Sequence, residues 1–252
     1  MKDPTQRFSG RVDDYVRYRP RYPDTLLPLL QQEIALTPEW LIADLGSGTG
    51  FSAEPFLRNG NRVIGIEPNP QMRAAAERAL AHVPAFTSHA GLAENTRLAT
   101  SSVDMVLAGQ AFHWFDPIRA RGEFRRILRN EGWTVLLWNR RKTDSTPFLR
   151  AYEEMLNTFG TDYQMVRHDR LGPEEIEHFF GQTVERRVMP CVQILDLEGL
   201  VGRLLSSSYT PVAGDPDREP MLAEIARIFD EYQQDDRVRF EYATEVYFGR
   251  LH

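Results

Sequence analysis

Short apolar runs alternate with amphipathic stretches through the first half of the chain. Apolar runs of strand length occupy residues 41–43, 62–66, 85–88, 102–108 and 133–138. Between them, residues 51–58, 71–81 and 119–128 carry apolar or alanine side chains in patterns typical of helices. Strands that alternate with helices predict an α/β protein with a doubly wound, mostly parallel sheet.

The second half of the chain departs from this alternation. Residues 147–159 and 173–180 are predicted helices outside the regular series, with a basic segment at 167–170 between them. Strand patterns return at residues 183–188 and 238–248, and residues 221–233 form a clear amphipathic helix pattern. We interpret the region from residue 145 as a helical cap inserted before the last strands.

A glycine-rich turn follows the first predicted strand. Asp44 stands at its entrance, and the turn contains Gly46, Ser47, Gly48 and Gly50. A strand, a glycine turn and a helix in this order bring the backbone close to a ligand. The dinucleotide pattern G-x-G-x-x-G/A needs a small last residue, but Phe51 stands there. The alternative pattern, acidic-x-G-x-G-x-G, fits and resembles motif I of the class I S-adenosylmethionine-dependent methyltransferases.

A second acidic residue ends the next predicted strand. Glu67 lies roughly 20 residues after the glycines, where a carboxylate can accept hydrogen bonds from both hydroxyls of a ribose. NAD-dependent enzymes also have an acidic residue at this position, so Glu67 does not distinguish between NAD and S-adenosylmethionine as the cofactor. Asp44 would hold the ammonium group of the methionine moiety directly or through water. The resemblance implies further cofactor contacts by Pro68, Met72, Ala93 and Glu94, although Met72 also suits a core position.

The segment after the fourth predicted strand carries the candidate chemistry. It reads G-Q-A-F-H-W-F-D from residue 109 and resembles a motif of one methyltransferase subfamily. The resemblance implies that Gln110 and Ala111 line the cofactor, while His113 and Trp114 face the methyl group and its acceptor. His113 is the candidate general base, and a purely structural histidine is the alternative.

Aromatic and arginine residues interleave near the start of the chain. Tyr15, Arg19, Pro20, Tyr22 and Pro23 match a Y-x-x-x-R-P-x-Y-P pattern that precedes motif I in the trans-aconitate methyltransferase-like subfamily. The resemblance implies a lid that closes over the methionine end of the cofactor and the acceptor. Tyr15 and Arg19 would then contact the cofactor, and Tyr22 the substrate. A solvated basic arm is the alternative.

The acceptor decides which side chains the reaction needs. A carboxylate is already nucleophilic and favours arginine, for which Arg19, Arg140 and Arg141 are candidates. We take Arg140 and Trp114 as predicted substrate contacts. A phenol or an acidic carbon needs a proton acceptor, which His113 would supply. Residues 195–209, which end in S-S-S-Y, resemble the subfamily's segment near the acceptor.

We treat the chain as one domain with a Rossmann-like methyltransferase fold, which the resemblance implies to have seven strands and an antiparallel last strand. Residues 1–36 form the lid and first helix, and residues 37–140 the cofactor-binding core. Cap insertions occupy 141–182 and 191–215. Residues 183–190 and 216–252 supply the C-terminal strands and helix.

Composition narrows the class of protein. The 252 residues are 42% hydrophobic and 26% charged, which is ordinary for a globular protein. A net charge of −6 argues mildly against nucleic acid as the main partner. The single cysteine, Cys191, excludes an internal disulfide and favours a cytoplasmic protein. No apolar run approaches the ~20 residues of a membrane span, and the N-terminus lacks a signal-like apolar region.

The sequence therefore predicts an S-adenosylmethionine-dependent methyltransferase that acts on a small molecule by in-line displacement. The predicted acceptor is a carboxylate, a hydroxyl or an acidic carbon. We expect a monomer or homodimer with no metal, nucleic acid or membrane partner. Base methylation in nucleic acids is disfavoured because no N/D-P-P-Y/F/W motif follows the fourth strand. An NAD-dependent oxidoreductase and a non-catalytic S-adenosylmethionine-binding protein remain the alternatives.

Overall fold

The computed structural model describes residues 12–161, 163, 172–182 and 184–251. The first part of the predicted lid, residues 1–11, and the basic segment 167–170 lie outside the described residues. Within the described ranges, no helix has the length and apolar composition that crossing a bilayer requires.

Helices and strands alternate through the first half of the chain, as the sequence predicts. The strands are β1 (Leu41–Leu45), β2 (Arg62–Ile66), β3 (Phe86–His89), β4 (Val103–Gly109), β5 (Leu128–Arg141), β6 (Glu185–Leu195) and β7 (Val238–Gly249). The helices are α1 (Val12–Tyr18), α2 (Leu26–Ile34), α3 (Glu54–Arg58), α4 (Pro70–Ala79), α5 (Pro117–Ile127), α6 (Pro147–Phe159), α7 (Pro173–Phe180), α8 (Leu197–Leu205) and α9 (Arg218–Tyr232). A short 3-10 helix, Phe112–Trp114, precedes α5.

The seven strands form one sheet in the order β3-β2-β1-β4-β5-β7-β6. Strands β1 to β5 run parallel to one another, whereas β7 runs antiparallel to both β5 and β6. The predicted α/β fold with an antiparallel last strand is therefore confirmed. The strand order reverses direction between β1 and β4, and open α/β sheets bind ligands at the carboxyl ends of the strands beside such a reversal.

Local sequence signals set where several helices begin at that edge of the sheet. The Asn69 side chain accepts hydrogen bonds from the first turn of α4, and the Asp116 side chain does the same for α5. In both helices proline follows the cap as the first helical residue, where its fixed φ suits a helix and no backbone N–H is lost. Both helix starts are thereby fixed close to the ends of β2 and β4.

Two apolar layers cover the two faces of the sheet. Neighbouring residues of a strand alternate between the layers, as Met105 and Val106 of β4 do. Helices α5 and α7 contribute Phe124 and Phe179 to one layer, and α2 contributes Leu30 to the other. A third cluster joins α6, α8 and α9 to the first half of β7. Of the predicted cap helices, α6 and α8 thus share a separate core with α9, whereas α7 packs in the same layer as α5.

Some boundaries differ from the predicted ones. Strand β6 continues to Leu195, so residues 191–195 belong to the sheet rather than to a cap insertion. The register with β7 is continuous from Glu185 to Leu195, but exposed Val188, Val192 and Ile194 obscure the period-2 pattern in the sequence. Strand β5 begins at residue 128, directly after α5. Helix α3 begins at residue 54 because residues 51–53 still belong to the glycine turn.

Candidate active site

A cavity of about 280 Å³ opens at the carboxyl ends of the central strands. Most of the predicted site residues line it: Tyr15, Arg19, Tyr22, Gly46, Ser47, Gly48, Glu67, Pro68, Met72, Ala93, Glu94, Gln110, Ala111, Trp114 and Arg140. Three predicted residues, Asp44, Gly50 and His113, are not part of its wall. The wall thus combines the glycine turn, the end of β2, the loop after β4 and the segment after α1.

The glycine turn has a conformation that other residues adopt only under strain. Gly46, Gly48 and Gly50 have φ values of +67°, +56° and +89°. The backbone N–H groups of Gly46 and Ser47 both donate to the carbonyl of Ile66, at 2.8 and 3.2 Å, which ties the turn to β2. A Cβ atom at Gly46 would lie 2.6 Å from Cβ of Ala111. The turn therefore leaves room for a ligand only while these positions lack side chains.

Glu67 links the end of β2 to this turn. Its Oε2 accepts a hydrogen bond from the backbone N–H of Gly48 at 2.9 Å, and its Oε1 accepts one from Asn69 at 2.8 Å. The side chain is only 8% exposed, and burial raises the pKa of the carboxyl while the two backbone N–H groups lower it. Because each carboxylate oxygen can accept more than one hydrogen bond, Glu67 keeps capacity for ligand hydroxyls.

Asp44 lies directly behind the wall. The side chain is fully buried, and its Oδ2 accepts a hydrogen bond from Oγ of Ser52 at 2.7 Å. Its Oδ1 has no hydrogen-bond partner among the described residues. Burial raises the pKa of Asp44 to about 7, against the lowering effect of Ser52. Ser52 lines the cavity and was not predicted from the sequence, since a serine after a glycine turn carries no distinctive pattern.

Gln110 shapes the turn after β4. It has a φ of +56°, its backbone N–H donates to the carbonyl of Leu137 at 2.8 Å, and its Nε2 donates to the carbonyl of Asn139 at 3.2 Å. The buried Oε1 of Gln110 has no partner in the described part of the chain. A buried amide oxygen without a partner is costly, so a ligand donor at this point would satisfy it.

The predicted adenine side is partly apolar. Met72 and Ala93 are buried, and both contribute to the wall. Glu94 also lines it, and one of its oxygens accepts a hydrogen bond from the backbone N–H of Asp116 at 2.7 Å. One carboxylate oxygen of Glu94 is thus committed to the start of α5.

His113 lies in the 3-10 helix beside the cavity. Its ring centroid is 4.6 Å from that of Trp114, which does line the cavity. The structure therefore brings His113 next to the predicted residue Trp114 but does not place it on the cavity wall. Its role as a base stays a prediction.

Four arginines, from α8, the end of β5 and the residue after α1, contribute to the part of the cavity wall that we call the arginine end. They are Arg19, Arg140, Arg141 and Arg203. Arg140 pairs with Glu245 at 2.5 Å, and Arg141 pairs with Glu153. Arg203 was not predicted, because an arginine in an amphipathic helix pattern usually belongs to the solvated face. Here it is 4% exposed and lines the cavity. Tyr163 and Tyr209, whose ring centroids are 4.9 Å apart, complete this end.

Helix α1 and the residues after it cover the cavity. The Tyr15 ring stacks on Phe51 with centroids 5.8 Å apart, and the Arg21 guanidinium lies 3.6 Å from the centroid of the same ring. Tyr18 packs so closely on Gly202 of α8 that a Cβ atom there would collide with its ring. The described part of the predicted lid therefore bridges the glycine turn and the cap.

The chain is similar in sequence to known methyltransferases. A family model described as "Methyltransferase domain" matches residues 43–136. An uncharacterized methyltransferase of Mycobacterium tuberculosis is 32% identical over 212 residues, which cover 82% of this chain and 79% of the relative. An uncharacterized methyltransferase-like protein of Schizosaccharomyces pombe is 27% identical over 244 residues, 95% of this chain and 93% of the relative.

The solved structures agree on the fold. A structure described as a type II methyltransferase from Anaeromyxobacter dehalogenans has a TM-score of 0.68 at 19% identity, with 93% of this chain and 98% of that chain covered. The resemblance to the trans-aconitate methyltransferase-like subfamily is not tested by these matches and stays a prediction.

Proposed function

Since the chain belongs to the class I S-adenosylmethionine-dependent methyltransferases, we propose that its cavity holds the cofactor at the ends of β1 and β2 and presents the methyl group to a small acceptor that bears a carboxylate. The four arginines on the cavity wall, of which Arg203 is buried and the other three are half-buried, are the observation that carries the second half of this proposal. A guanidinium presents a planar fork of donors that matches the geometry of a carboxylate.

The residues at the cofactor end fit S-adenosylmethionine. The glycine turn contributes Gly46 and Gly48 to the cavity wall, where the ligand can approach the backbone, and Glu67 offers carboxylate oxygens to the two ribose hydroxyls. The unpartnered Oδ1 of Asp44 and the hydroxyl of Ser52 would serve the ammonium group. Met72 and Ala93 would contact the adenine.

The proposed chemistry asks mainly for alignment and exclusion of water. When bound, S-adenosylmethionine supplies an electrophilic methyl group on a sulfonium. A carboxylate acceptor is already ionised and nucleophilic, so it would need no base, and the location of His113 off the wall agrees with that. Tyr22, which is buried beside Gly109, and Trp114 would orient the acceptor. Helix α1 would exclude water, which strengthens the electrostatic interactions inside.

Release of S-adenosylhomocysteine tests this function. Purified protein with S-adenosylmethionine is offered small carboxylic acids, their primary amides, phenols and NAD with small alcohols. We expect release with carboxylic acids and none with the matched amides, because an amide has no charge for the arginines. Turnover restricted to phenols would contradict the carboxylate part. NAD reduction, or cofactor binding without any turnover, would favour the two alternatives.

The affinity for S-adenosylhomocysteine is expected to rise with pH between about 6 and 7.5, because only ionised Asp44 attracts the ligand's ammonium group. The pKa of Asp44 in the folded protein, about 7, exceeds the value of 3.8 for the free side chain. Burial disfavours the ionised carboxylate, so the contribution of Asp44 to the free energy of unfolding of the ligand-free protein is greatest below pH 3.8. This contribution is lost as the pH rises from 3.8 to about 7. Calorimetry across this range measures the effect, and Asp44→Asn should flatten it. A constant wild-type affinity would refute it.

Replacing Gly202 by alanine is expected to raise the acceptor KM about tenfold, because the added methyl group displaces Tyr18 and with it α1. Alanine has a helix propensity about 1 kcal/mol more favourable than that of glycine, so the substitution should not destabilise α8 itself. Steady-state kinetics and thermal melting measure both properties. A second change, Tyr18→Ala, should recover part of the KM because it removes the collision. An unchanged KM in Gly202→Ala would show that α1 need not dock there.

A further inference from the structure

The four cavity arginines differ in whether a carboxylate neutralises them. Arg140 and Arg141 form ion pairs with Glu245 and Glu153. Arg19 and Arg203 have no acidic partner within 4 Å in the described ranges of the chain. We call these two residues the arginine pair. A buried guanidinium without a counter-charge is unfavourable unless an anion from outside accompanies it.

Neutral oxygens hold each member of the arginine pair in place. Nε of Arg203 donates to the hydroxyl of Tyr242, and one terminal nitrogen donates to Oγ of Ser207, both at 2.9 Å. A terminal nitrogen of Arg19 donates to the carbonyl of Ser206 at 3.0 Å, while its Nε is buried and has no partner among the described residues. These bonds fix the direction of both guanidinium groups but leave their charge uncompensated.

The positive charges of the cavity arginines shift the pKa values of neighbouring groups. Burial acts to raise the pKa of Tyr209, but the combined charges of Arg203, Arg141 and Arg19 outweigh it and lower that pKa. In contrast, burial raises the pKa of Tyr22, which lies elsewhere on the wall. Burial also lowers the pKa of Arg19, and the like charge of Arg203 lowers it further. The two guanidinium groups thus repel each other within the cavity.

The arginine pair joins two separate parts of the fold. Arg19 directly follows α1, and Arg203 belongs to α8 in the cap. The two helices are in contact through Tyr18 and Gly202, and Tyr18 also donates a hydrogen bond to Glu198 of α8 at 3.0 Å. Repulsion between Arg19 and Arg203 opposes this docking. An anion between them would attract both guanidinium groups and would therefore favour the docking of α1 on α8.

We propose that Arg19 and Arg203 together bind one carboxylate of the acceptor, and that this carboxylate is what holds α1 closed on α8. The inference rests on the proposed function, because it assigns the acceptor's anionic group to these two residues. Arg140 and Arg141, already paired with acids, shape the wall and do not anchor that group. The acceptor therefore completes its own site, because its anionic group favours the closed position of α1 on α8.

Binding of small carboxylates to the protein saturated with S-adenosylhomocysteine tests the proposal. The probes are mono- and dicarboxylates of two to six carbons, each compared with its primary amide. Calorimetry gives the affinity, and hydrogen exchange of the α1 amides reports closure. We expect carboxylates alone to bind and to slow exchange in α1. Arg203→Met and Arg19→Met should each lose about tenfold or more in affinity and abolish the slowing.

Two variants keep the result interpretable. Arg203→Lys retains the positive charge but not the two parallel N–H donors of a guanidinium. Its affinity for the carboxylate probes should lie between those of wild type and Arg203→Met. Arg187→Met, which removes an arginine paired with Glu33 away from the cavity, should bind the probes as wild type does. If Arg203→Met or Arg203→Lys melts below wild type, Arg19→Met still decides the question.

Three outcomes would overturn the inference. Unchanged affinity in both arginine-pair variants would disprove it, while the proposed carboxylate acceptor would survive. Binding of carboxylates without any change in α1 exchange would disprove the closure. Failure of every carboxylate to bind would overturn both this inference and the carboxylate part of the proposed function, whereas failure of S-adenosylhomocysteine itself would overturn the cofactor assignment.

Discussion

Replacing Glu67 by glutamine is expected to weaken the binding of S-adenosylhomocysteine by at least about 100-fold, because hydrogen bonds to a charged group contribute about 1.5–3 kcal/mol each. Each oxygen of Glu67 accepts a backbone N–H, from Gly48 and from Asn69. Whichever way the glutamine amide is oriented, its NH₂ group faces one of these donors. The substitution therefore disturbs the glycine turn and removes the charge that receives the ribose hydroxyls. Calorimetric titration measures the loss.

Glu94→Gln is the matched control for this substitution. Glu94 also lines the cavity, but among the described residues only one backbone N–H, that of Asp116, donates to its carboxylate. A glutamine can turn its oxygen toward that donor, so we expect a loss below about tenfold. If Glu67→Gln bound the ligand within about threefold of wild type, the ribose would have to be held by other residues.

Gly46→Ala is expected to abolish measurable cofactor binding and to lower the free energy of unfolding by about 2–4 kcal/mol, from the cost of a left-handed φ and of overpacking. Gly46 has a φ of +67°, and its new Cβ would lie 2.6 Å from Cβ of Ala111. Relief of this contact would move the turn away from the segment after β4. Both segments contribute to the cavity wall. Chemical denaturation and calorimetry measure the two effects.

Gly122→Ala provides the opposite expectation in the same chain. Gly122 lies within α5, it has no positive φ, and a Cβ atom there would meet nothing within 4 Å. Alanine should therefore raise the unfolding free energy by about 0.5–1 kcal/mol and leave binding unchanged. A Gly46→Ala protein as stable as wild type would mean that the turn tolerates a side chain. The argument that glycine is required at this position would then be wrong.

The residues of the proposed cofactor end could be brought together from the sequence because their signals are local. Gly46, Gly48 and Gly50 stand in sequence next to a buried strand, and positive φ values at all three explain why glycine is required there. Glu67 ends the neighbouring strand, and parallel pairing of β1 with β2 brings the two ends together. The comparisons confirm the predicted family, and the strand order confirms the predicted fold class.

The proposed acceptor end was less predictable because its residues come from distant segments. Arg19 and Arg203 meet only when α1 packs on α8, and no sequence spacing indicates that contact. Arg140 was predicted from its place after β5, but its pairing with Glu245 depends on the antiparallel register of β7. Asp44 was predicted as a direct or water-mediated contact, and its burial behind Ser52 follows from packing alone.

A crystal structure of the protein with S-adenosylhomocysteine tests the central claim most directly. We expect the ribose hydroxyls within hydrogen-bond distance of the Glu67 carboxylate, the homocysteine portion against Gly46 and Ser52, and the sulfur directed toward the end of the cavity that Arg203 lines. A nucleoside bound outside this cavity, or a glycine turn closed by neighbouring side chains in the complex, would contradict the assignment of the site.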